Sequence, residues 1–174
     1  VDLMTRRVGI IGYPLKHSVS PVFQQLAFQN LGLDFSYHAW EIEPKQLEKE
    51  VRGLVDDDIV GFNVTIPYKS SIIPLLDNLS DLAAMAGAVN TVVIKNKRLS
   101  GHNTDIDGFM KSIKQDASFN CKGKNILVIG TGGSARAVLT ALSTENPSSL
   151  TVTSRNLDKA SLLCKTIGDK LSLT

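Results

Sequence analysis

Three polar side chains follow a short apolar run, and their types suit acid–base chemistry on a hydroxylated ligand. Asn63, Thr65 and Lys69 place an amide, a hydroxyl and an ammonium within seven residues. Pro67 cannot donate to a sheet ladder, so the strand that precedes it should end there. Because ligands of open α/β sheets bind outside the carboxyl ends of strands, these groups should line a ligand site. Neutral hydrogen-bonding groups with one cation suit a small polyhydroxylated acid. Asn63 and Thr65 would bond its hydroxyl groups, and Lys69 would move a proton.

Each of these three residues also has a purely structural interpretation. Asn63 suits a turn, Thr65 suits a strand, and Lys69 suits the solvated start of a helix. For any one residue alone the structural interpretation is favoured, so the chemical hypothesis depends on the three together. It also depends on further polar clusters at the predicted connections between elements.

Three such clusters contain residues that could bind the same ligand. Ser18 and Ser20 follow the first predicted strand, Asn90 lies where a helix gives way to a strand, and Asp105 opens a helix. Their structural alternatives stay open. Ser20 precedes Pro21 and is a predicted helix N-cap, while Asn90 suits a turn. An acid near a helix N-terminus is favoured by about 0.3–1 kcal/mol without any catalytic role.

A glycine-rich turn in the second half predicts a dinucleotide site. Gly130, Gly132 and Ala135 match the G-x-G-x-x-A fingerprint, between a predicted buried strand at 124–129 and a predicted helix at 135–142. Gly130 allows the tight turn, Gly132 lets the backbone approach a pyrophosphate, and Ala135 permits close helix–strand packing. The N-terminal amides of the helix would bind the phosphates. The cofactor residues predicted in this turn are Gly130, Thr131, Gly132, Gly133, Ser134 and Ala135.

The end of the next predicted strand, 150–154, distinguishes the two nicotinamide cofactors. An NAD enzyme usually has Asp or Glu there to bond the ribose 2′-hydroxyl. This chain has Ser154 and Arg155 instead, with Lys159 one helical turn later. Two cations suit a 2′-phosphate, since arginine can bond it bidentately, so NADP is favoured. The structural alternative is that both cations only solvate the exposed start of a helix.

Strands that alternate with helices define the elements that must position these residues. The pattern predicts a mostly parallel α/β sheet with helices on both faces, plus an antiparallel strand from a hairpin across Asn96-Lys97-Arg98. Val22, Leu26 and Leu31 form an apolar stripe on the first helix, which Gly32 ends. The predicted strands are 7–12, 35–42, 59–65, 90–95, 99–102, 124–129 and 150–154. A first helix is predicted from Ser20, and further helices span 44–55, 80–86, 105–115 and 135–142.

Composition restricts the class of protein. The chain has 174 residues, 43% hydrophobic and 21% charged, with a formal net charge of +2. This balance is typical of a globular protein and predicts no extended basic face for nucleic acid. No apolar run approaches the roughly 20 residues that cross a bilayer, and no secretory signal is predicted. Cys121 and Cys164 have no metal-ligand spacing, which predicts no metal and a reduced, cytoplasmic protein.

The polar motifs, in their order along the chain, resemble those of one enzyme family. Ser18-Val19-Ser20-Pro21, then Asn63–Lys69, Gly87–Thr91 and Asn103–Gly108 are similar to the motifs of the NADP-dependent shikimate dehydrogenases. The resemblance extends from about Val8 to the end of the chain. It implies a shikimate-binding catalytic domain at 1-103, then an interdomain helix and a partial Rossmann-type NADP-binding domain at 104-174. It also implies that the chain is truncated at its C-terminus.

The resemblance implies a role for each residue. The reaction would interconvert 3-dehydroshikimate and shikimate with NADPH and NADP in chorismate and aromatic amino-acid biosynthesis. Ser18 and Ser20 would bind the carboxylate. Lys69, paired with Asp105, would transfer the proton. The residues implied to bond ring hydroxyls are Asn63, Thr65, Asn90 and Asp105.

Two departures from the family pattern and two alternatives accompany this hypothesis. Tyr68 stands where many relatives carry histidine, and Ser154-Arg155-Asn156 keeps only the arginine of the usual Asn-Arg-Thr segment. One alternative is a quinate/shikimate dehydrogenase, against which Ser18 and Arg155 argue. The other is a shikimate-binding fragment without catalysis. The expected partner is a small molecule, with neither nucleic acid nor membrane, and a homodimer is one possible assembly.

Overall fold

A computed structural model describes residues 5–57 and 59–171 of the chain. The chain forms two compact units. The first unit is Val1–Leu79 with Val89–His102, and the second is Ser80–Ala88 with Asn103–Thr174. The expected domains, 1-103 and 104-174, stay a prediction, and the structure groups the segment Ser80–Ala88 with the second unit.

The first unit is built on a six-stranded sheet with the order β2-β1-β3-β5-β6-β4. Its strands are β1 Arg6–Gly12, β2 Phe35–Glu41, β3 Gly61–Val64, β4 Asn78–Leu79, β5 Thr91–Lys95 and β6 Arg98–His102. Its helices are α1 Ser20–Asn30 and α2 Leu47–Asp56, with 3₁₀ turns at Pro44–Gln46 and Ile73–Leu75. β1 pairs in parallel with β2 and β3, while β5 is antiparallel to β3 and β6. The predicted α/β class and the antiparallel hairpin strand are thus confirmed, and β4 is an addition that the pattern does not indicate.

β1 is an inner strand of the sheet and is buried on both faces. Ile10 and Ile11 point to opposite faces and are 6% and 0% exposed, as expected for a strand covered on both sides. A Cβ on Gly9 would lie 2.3 Å from the His38 carbonyl oxygen and 2.5 Å from the Trp40 ring. Only glycine at this position lets the indole lie directly against the strand.

The hairpin turn is tighter than the sequence pattern predicts. Arg98 already pairs with Lys95, so the loop contains only Asn96 and Lys97. Both residues have positive φ, 52° and 60°, which a two-residue type I′ turn requires at both positions. This turn is selected because its twist matches that of the flanking strands, and asparagine tolerates it well.

The start and the exposed face of α1 differ from the sequence prediction. Val19, with φ −85° and ψ −7°, already has helical angles and occupies the cap position, so the prediction that Ser20 caps the helix is wrong. The Val19 side chain makes no capping hydrogen bond. The predicted apolar stripe is largely accessible to solvent, with exposed fractions of 68%, 53% and 71% for Val22, Leu26 and Leu31.

A glutamine amide connects α1 to the sheet, together with the Phe28 ring, whose centroid lies 5.2 Å from that of Phe35. Gln25 Nε2 donates to the Phe35 carbonyl at 3.1 Å, and the Tyr37 amide donates to Gln25 Oε1 at 2.9 Å. β2 is an edge strand of the described sheet, so one side of it lacks a strand partner. Because backbone groups removed from water need hydrogen-bond partners, this pair of bonds orients α1 against β2.

The second unit contains a parallel pair of strands with helices packed around it. Its elements are α3 Asp81–Ala86, α4 Asp105–Lys111, β7 Asn125–Ile129, α5 Gly133–Ser143, β8 Ser149–Thr153 and α6 Leu157–Leu171. α4 continues as a π-helical turn over Ser112–Asp116. The parallel pairing of β7 and β8, connected through α5, confirms the predicted start of a Rossmann-type domain. The core residues include Val128, Leu139, Leu142, Leu163 and Ile167.

Thr140 on α5 has a buried hydroxyl with no hydrogen-bond partner among the described residues. The residue is 0% exposed, so its hydroxyl loses water without a replacement bond. We expect Thr140→Val to raise the free energy of unfolding by about 1 kcal/mol, and Tm by about 2–4 °C in thermal denaturation. Thr144→Val is the matched control, because Thr144 Oγ1 donates to the Ala141 carbonyl at 2.8 Å. A lower Tm for Thr140→Val would mean that its hydroxyl is bonded in solution.

Candidate functional site

The carboxyl ends of β1 and β3 and the start of β5 lie at one edge of the first unit's sheet. The Thr65 amide donates to the Ile11 carbonyl at 3.0 Å, and the Val64 amide donates to the Asn90 carbonyl at 2.8 Å. These backbone bonds place Thr65 and Asn90 at neighbouring strand ends. Asn90 is 9% exposed, and its own amide donates to the His102 carbonyl at 3.0 Å. Backbone from β3, β5 and β6 therefore meets at this residue.

The side-chain amide of Asn63 makes hydrogen bonds at both of its ends. Oδ1 accepts from the Tyr37 hydroxyl at 2.7 Å, while Nδ2 donates to Thr91 Oγ1 at 3.3 Å and to the Asn90 carbonyl at 3.5 Å. Thr91 Oγ1 donates to Asn90 Oδ1 at 3.0 Å. The structure thus brings Asn63 and Asn90 together, and it adds Tyr37 and Thr91, which the sequence pattern does not single out. Burial raises the pKa of Tyr37 to about 12, so its hydroxyl keeps its proton near neutral pH.

A glycine at the end of β1 creates the space that Thr65 occupies. A Cβ on Gly12 would lie 2.5 Å from Thr65 Cγ2 and 2.7 Å from Leu15 Cδ2, closer than real Cβ atoms approach. Any larger residue at this position would displace the side chains of Thr65 and Leu15. The close approach of β1, β3 and this loop therefore requires glycine here.

A carboxylate holds the loop that carries the two predicted serines. The Leu15 amide donates to Glu41 Oε2 at 2.6 Å, and the Ser18 amide donates to the Leu15 carbonyl at 2.9 Å. The Ser20 amide donates to Ser18 Oγ at 3.4 Å, so the two serines are neighbours, and both are half-buried. The sequence pattern does not single out Glu41, because its partner lies 26 residues away along the chain.

Lys69 follows a tyrosine that is packed into the core. Tyr68 is 2% exposed, and its hydroxyl donates to the Ile42 carbonyl. Burial is the main cause that raises the pKa of Tyr68, so this residue is a neutral packing group. Lys69 itself is half-buried, and its carbonyl accepts from the Val89 amide at 2.6 Å. The backbone around Lys69 is therefore held by both the core and the segment that leads to Asn90.

A buried asparagine positions Asp105 in the second unit. Asn103 is 4% exposed, its Nδ2 donates to the Ala88 carbonyl at 2.9 Å, and its Oδ1 accepts from the Asp105 amide at 3.1 Å. These bonds fix the first turn of α4, where Asp105 is half-buried. Lys69 belongs to the first unit and Asp105 to the second, so their pairing stays a prediction.

The glycine-rich turn has a backbone geometry that suits a phosphate. Gly130 has φ +126°, a conformation that residues with a Cβ rarely adopt. Gly132 is the cap residue of α5, and a Cβ there would meet no described atom beyond its chain neighbours within 4 Å, so a ligand can approach the backbone. No described side chain caps α5, which leaves its N-terminal amides for an anion. Ala135 packs against the core, as close helix–strand packing requires. Thr131, Gly133 and Ser134 complete this turn and the first residues of α5.

The ends of β7 and β8 bring the predicted cations to the same edge as the glycine-rich turn. The Gly130 amide donates to the Thr153 carbonyl at 2.8 Å, so Ser154 follows directly beside the turn. Arg155 and Lys159 are exposed. The arrangement places two cationic side chains where the ribose of a dinucleotide would lie if its pyrophosphate were bound by α5.

Two polar residues beside Arg155 form the cap of α6. Asn156 Oδ1 accepts from the Lys159 amide at 3.0 Å. Ser154 Oγ accepts from the Asn156 amide at 3.2 Å and donates to the Asn156 carbonyl at 2.6 Å. Ser154 and Asn156 are therefore used to close the loop and start the helix, while the Arg155 side chain extends into solvent.

Three general properties limit the chemistry of the described residues. Within 5–57 and 59–171, no group of three or more His, Cys, Asp or Glu side chains could hold a metal ion. None of the helices in those ranges has the length and apolar character needed to span a membrane. Cys121 and Cys164 are free thiols, the first buried and the second exposed. Burial raises the pKa of the Cys121 thiol, which makes it unreactive.

Comparisons with known proteins find related descriptions for both halves of the chain. Residues 10–92 match a family model described as the shikimate dehydrogenase substrate binding domain. Residues 111–174 match one described as shikimate / quinate 5-dehydrogenase. A shikimate dehydrogenase (NADP(+)) of Methanopyrus kandleri is 39% identical over 173 residues, which cover 99% of this chain and 60% of that protein.

Two solved structures are similar over nearly the whole chain. Shikimate dehydrogenase from Aquifex aeolicus has a TM-score of 0.88 and 42% identity, over 95% of this chain and 62% of its own. Shikimate 5-dehydrogenase from Thermus thermophilus, in complex with NADP(H) and shikimate, has a TM-score of 0.84 and 35% identity, over 94% and 61%. The chain therefore spans about three fifths of the length of the relatives that it matches.

Proposed function

We propose, since this chain belongs to the shikimate dehydrogenase family, that it interconverts 3-dehydroshikimate and shikimate with NADPH and NADP. The observation that carries the proposal is the common sheet edge of the first unit. Thr65 and Asn90 lie at neighbouring strand ends there, and Asn63 contacts Asn90. An array of neutral hydrogen-bonding side chains at the end of parallel strands, with Lys69 a few residues further along the chain, suits a polyhydroxylated acid.

The proposed chemistry separates a hydride from a proton. NADP, when bound, accepts the hydride that leaves the alcohol carbon. Lys69 takes the hydroxyl proton during oxidation and returns it during reduction. Asp105 pairs with Lys69 and directs its side chain toward the reacting hydroxyl. Ser18 and Ser20 donate to the carboxylate, and the Asn63 and Asn90 amides and the Thr65 hydroxyl, at the end of β3 and the start of β5, hold the ring.

NADP fits the residues of the second unit better than NAD does. The turn at Gly130 and the uncapped start of α5 suit a pyrophosphate. Arg155 and Lys159 are exposed at the end of β8, where an NAD enzyme would carry an acid. A guanidinium bonds a phosphate in two places, so Arg155 is the residue proposed to hold the 2′-phosphate, with Lys159 adding charge.

A quinate/shikimate dehydrogenase is the second candidate, because the family description matched by residues 111–174 includes quinate. Initial rates with shikimate and with quinate, each with NADP and with NAD, distinguish the two candidates. Equal rates with quinate and NAD would contradict the preference for shikimate and NADP. Binding of shikimate without turnover in excess NADP would instead identify a non-catalytic shikimate-binding fragment.

The proposed substrate site is tested by calorimetric titration of the purified chain with shikimate, without cofactor. We expect saturable one-to-one binding, because most of the proposed binding residues lie in the first unit. Asn63→Ala should raise Kd about tenfold, since it removes hydrogen bonds to the ligand. Asn156→Ala is the matched control, because Asn156 caps α6 in the second unit. A folded chain that does not bind shikimate would overturn the proposed function.

We also propose that the protein is cytoplasmic and assembles as a homodimer. Two free cysteines are compatible with a reducing compartment. α1 contains no charged residue, and Val22, Phe23 and Leu26 are 68%, 66% and 53% exposed on it. An uncharged apolar helix surface can pack against its own copy without like charges meeting. Sedimentation at micromolar concentrations decides the assembly, and a monomer there would contradict the dimer.

A further inference from the structure

We propose that Tyr37 is a positioning residue, which fixes the orientation of the Asn63 amide for the substrate through a one-way chain of hydrogen bonds. The inference rests on the proposed function. This series of hydrogen bonds runs from the Tyr37 hydroxyl to Asn63 Oδ1 at 2.7 Å, and from Asn63 Nδ2 to Thr91 Oγ1 at 3.3 Å. It continues from Thr91 Oγ1 to Asn90 Oδ1 at 3.0 Å. It thus joins the two amides proposed to bond the ring hydroxyls.

A backbone carbonyl determines the donor-to-acceptor direction of these hydrogen bonds. The Asn90 carbonyl can only accept, and it lies 3.5 Å from one end of the Asn63 amide, which must therefore be Nδ2. The other end, Oδ1, must then face Tyr37. An amide oxygen has no hydrogen to give, so the phenol is the donor. Because burial raises the pKa of Tyr37 to about 12, the phenol keeps this hydrogen near neutral pH.

The sheet places Tyr37 where its side chain must be long to reach Asn63. In the ladder β1 lies between β2 and β3, with Val8 opposite Tyr37 and Ile10 opposite Asn63. Tyr37 and Asn63 are thus two strand spacings apart across the sheet, about 9–10 Å, and two residues apart along the strand direction, about 6–7 Å. The phenol ring crosses β1 and delivers its hydroxyl to the amide on the far side.

The position of Tyr37 is itself held from α1. Its backbone amide donates to Gln25 Oε1 at 2.9 Å, and its ring lies beside that of Phe28, with centroids 6.3 Å apart. Phenylalanine at position 37 would keep these contacts and would remove only the hydroxyl. Asn63 Oδ1 would then lose its donor, and the amide could turn over, so that a substrate hydroxyl meets the wrong end of it.

The role is tested by a double-mutant cycle with shikimate affinity as the readout. We expect Tyr37→Phe to raise Kd about fivefold in the native background, the loss typical of one hydrogen bond, and less than about twofold when combined with Asn63→Ala. Tyr68→Phe is the matched control, because it removes a hydroxyl that donates to the Ile42 carbonyl, away from the amides. An equal loss in both backgrounds, or equal losses for Tyr37→Phe and Tyr68→Phe, would overturn the role of Tyr37.

A second measurement separates this inference from the proposed function. The side-chain amide signals of Asn63 and Asn90 are recorded by NMR without ligand. Tyr37→Phe should shift both signals, the Asn63 signal more, whereas Tyr68→Phe should leave them in place. Unchanged signals in Tyr37→Phe overturn the inference whether or not shikimate binds. Shifted signals with no shikimate binding by the native chain support the hydrogen-bond chain and overturn the proposed function.

Discussion

Replacing Lys69 with alanine is expected to lower the rate of NADP-dependent shikimate oxidation by about 10²–10⁴-fold, the usual contribution of a positioned acid–base group. Shikimate affinity should change only a few-fold, because the serines, amides and hydroxyl that hold the ligand remain. Stopped-flow or steady-state absorbance of NADPH measures the rate, and calorimetry measures the affinity. A small primary amine added to Lys69→Ala should restore part of the rate, since it replaces the missing base.

The control for this change is another lysine of the first unit. Lys45 is exposed in the 3₁₀ turn before α2, so Lys45→Ala removes a similar charge and should leave the rate unchanged. If Lys69→Ala kept the full rate of turnover, the proposed role of Lys69 in proton transfer would be wrong. Equal losses in rate and in affinity, without rescue by an amine, would mean that Lys69 binds the substrate and does not transfer its proton.

Replacing Arg155 with glutamate is expected to raise the Kd for NADP about 100-fold while leaving the Kd for NAD nearly unchanged or lower. The guanidinium contributes charge-assisted hydrogen bonds worth about 1.5–3 kcal/mol to the 2′-phosphate. The new carboxylate repels that phosphate and can instead accept a hydrogen bond from the 2′-hydroxyl of NAD. Calorimetric titration of each variant with both dinucleotides measures the change in preference.

A charge-matched control tests whether the effect is local. Lys122 is exposed just before β7, at the opposite end of that strand from the glycine-rich turn, so Lys122→Glu makes a similar change in net charge. It should leave both dinucleotide affinities within about twofold at moderate salt. If Arg155→Glu weakened NADP and NAD equally, Arg155 would act on the fold of the turn. If it weakened neither, Arg155 would only solvate the start of α6.

Some mismatches between the sequence pattern and the structure have local causes. The pattern assigns Ser20 to a helix cap, yet the backbone of Val19 is already helical and takes that position. The pattern also treats Ser154 and Asn156 as departures from the family segment. In the structure both residues close the loop, and Asn156 caps α6, which is a role that asparagine performs as well as threonine.

Features that depend on neighbouring residues could be predicted from the amino-acid sequence. The alternation of strands and helices, the hairpin across Asn96-Lys97-Arg98 (though not its two-residue turn), and the strand–turn–helix at Gly130 could be predicted. Their physical causes are turn chemistry, helix and strand periodicity, and the conformational freedom of glycine, which act over a few residues. The chemical types of the candidate site residues could be predicted for the same reason, since their motifs are short.

Contacts between side chains that are distant in the sequence depend on the tertiary fold. Tyr37 meets Asn63, and Glu41 meets Leu15, across separations of 26 residues in each case. These contacts depend on the order of strands in the sheet and on register, and residue spacing along the chain encodes neither. The face that α1 turns toward the sheet was decided in the same way. Gln25 bonds backbone groups of the edge strand β2, and Phe28 packs on Phe35 of the same strand.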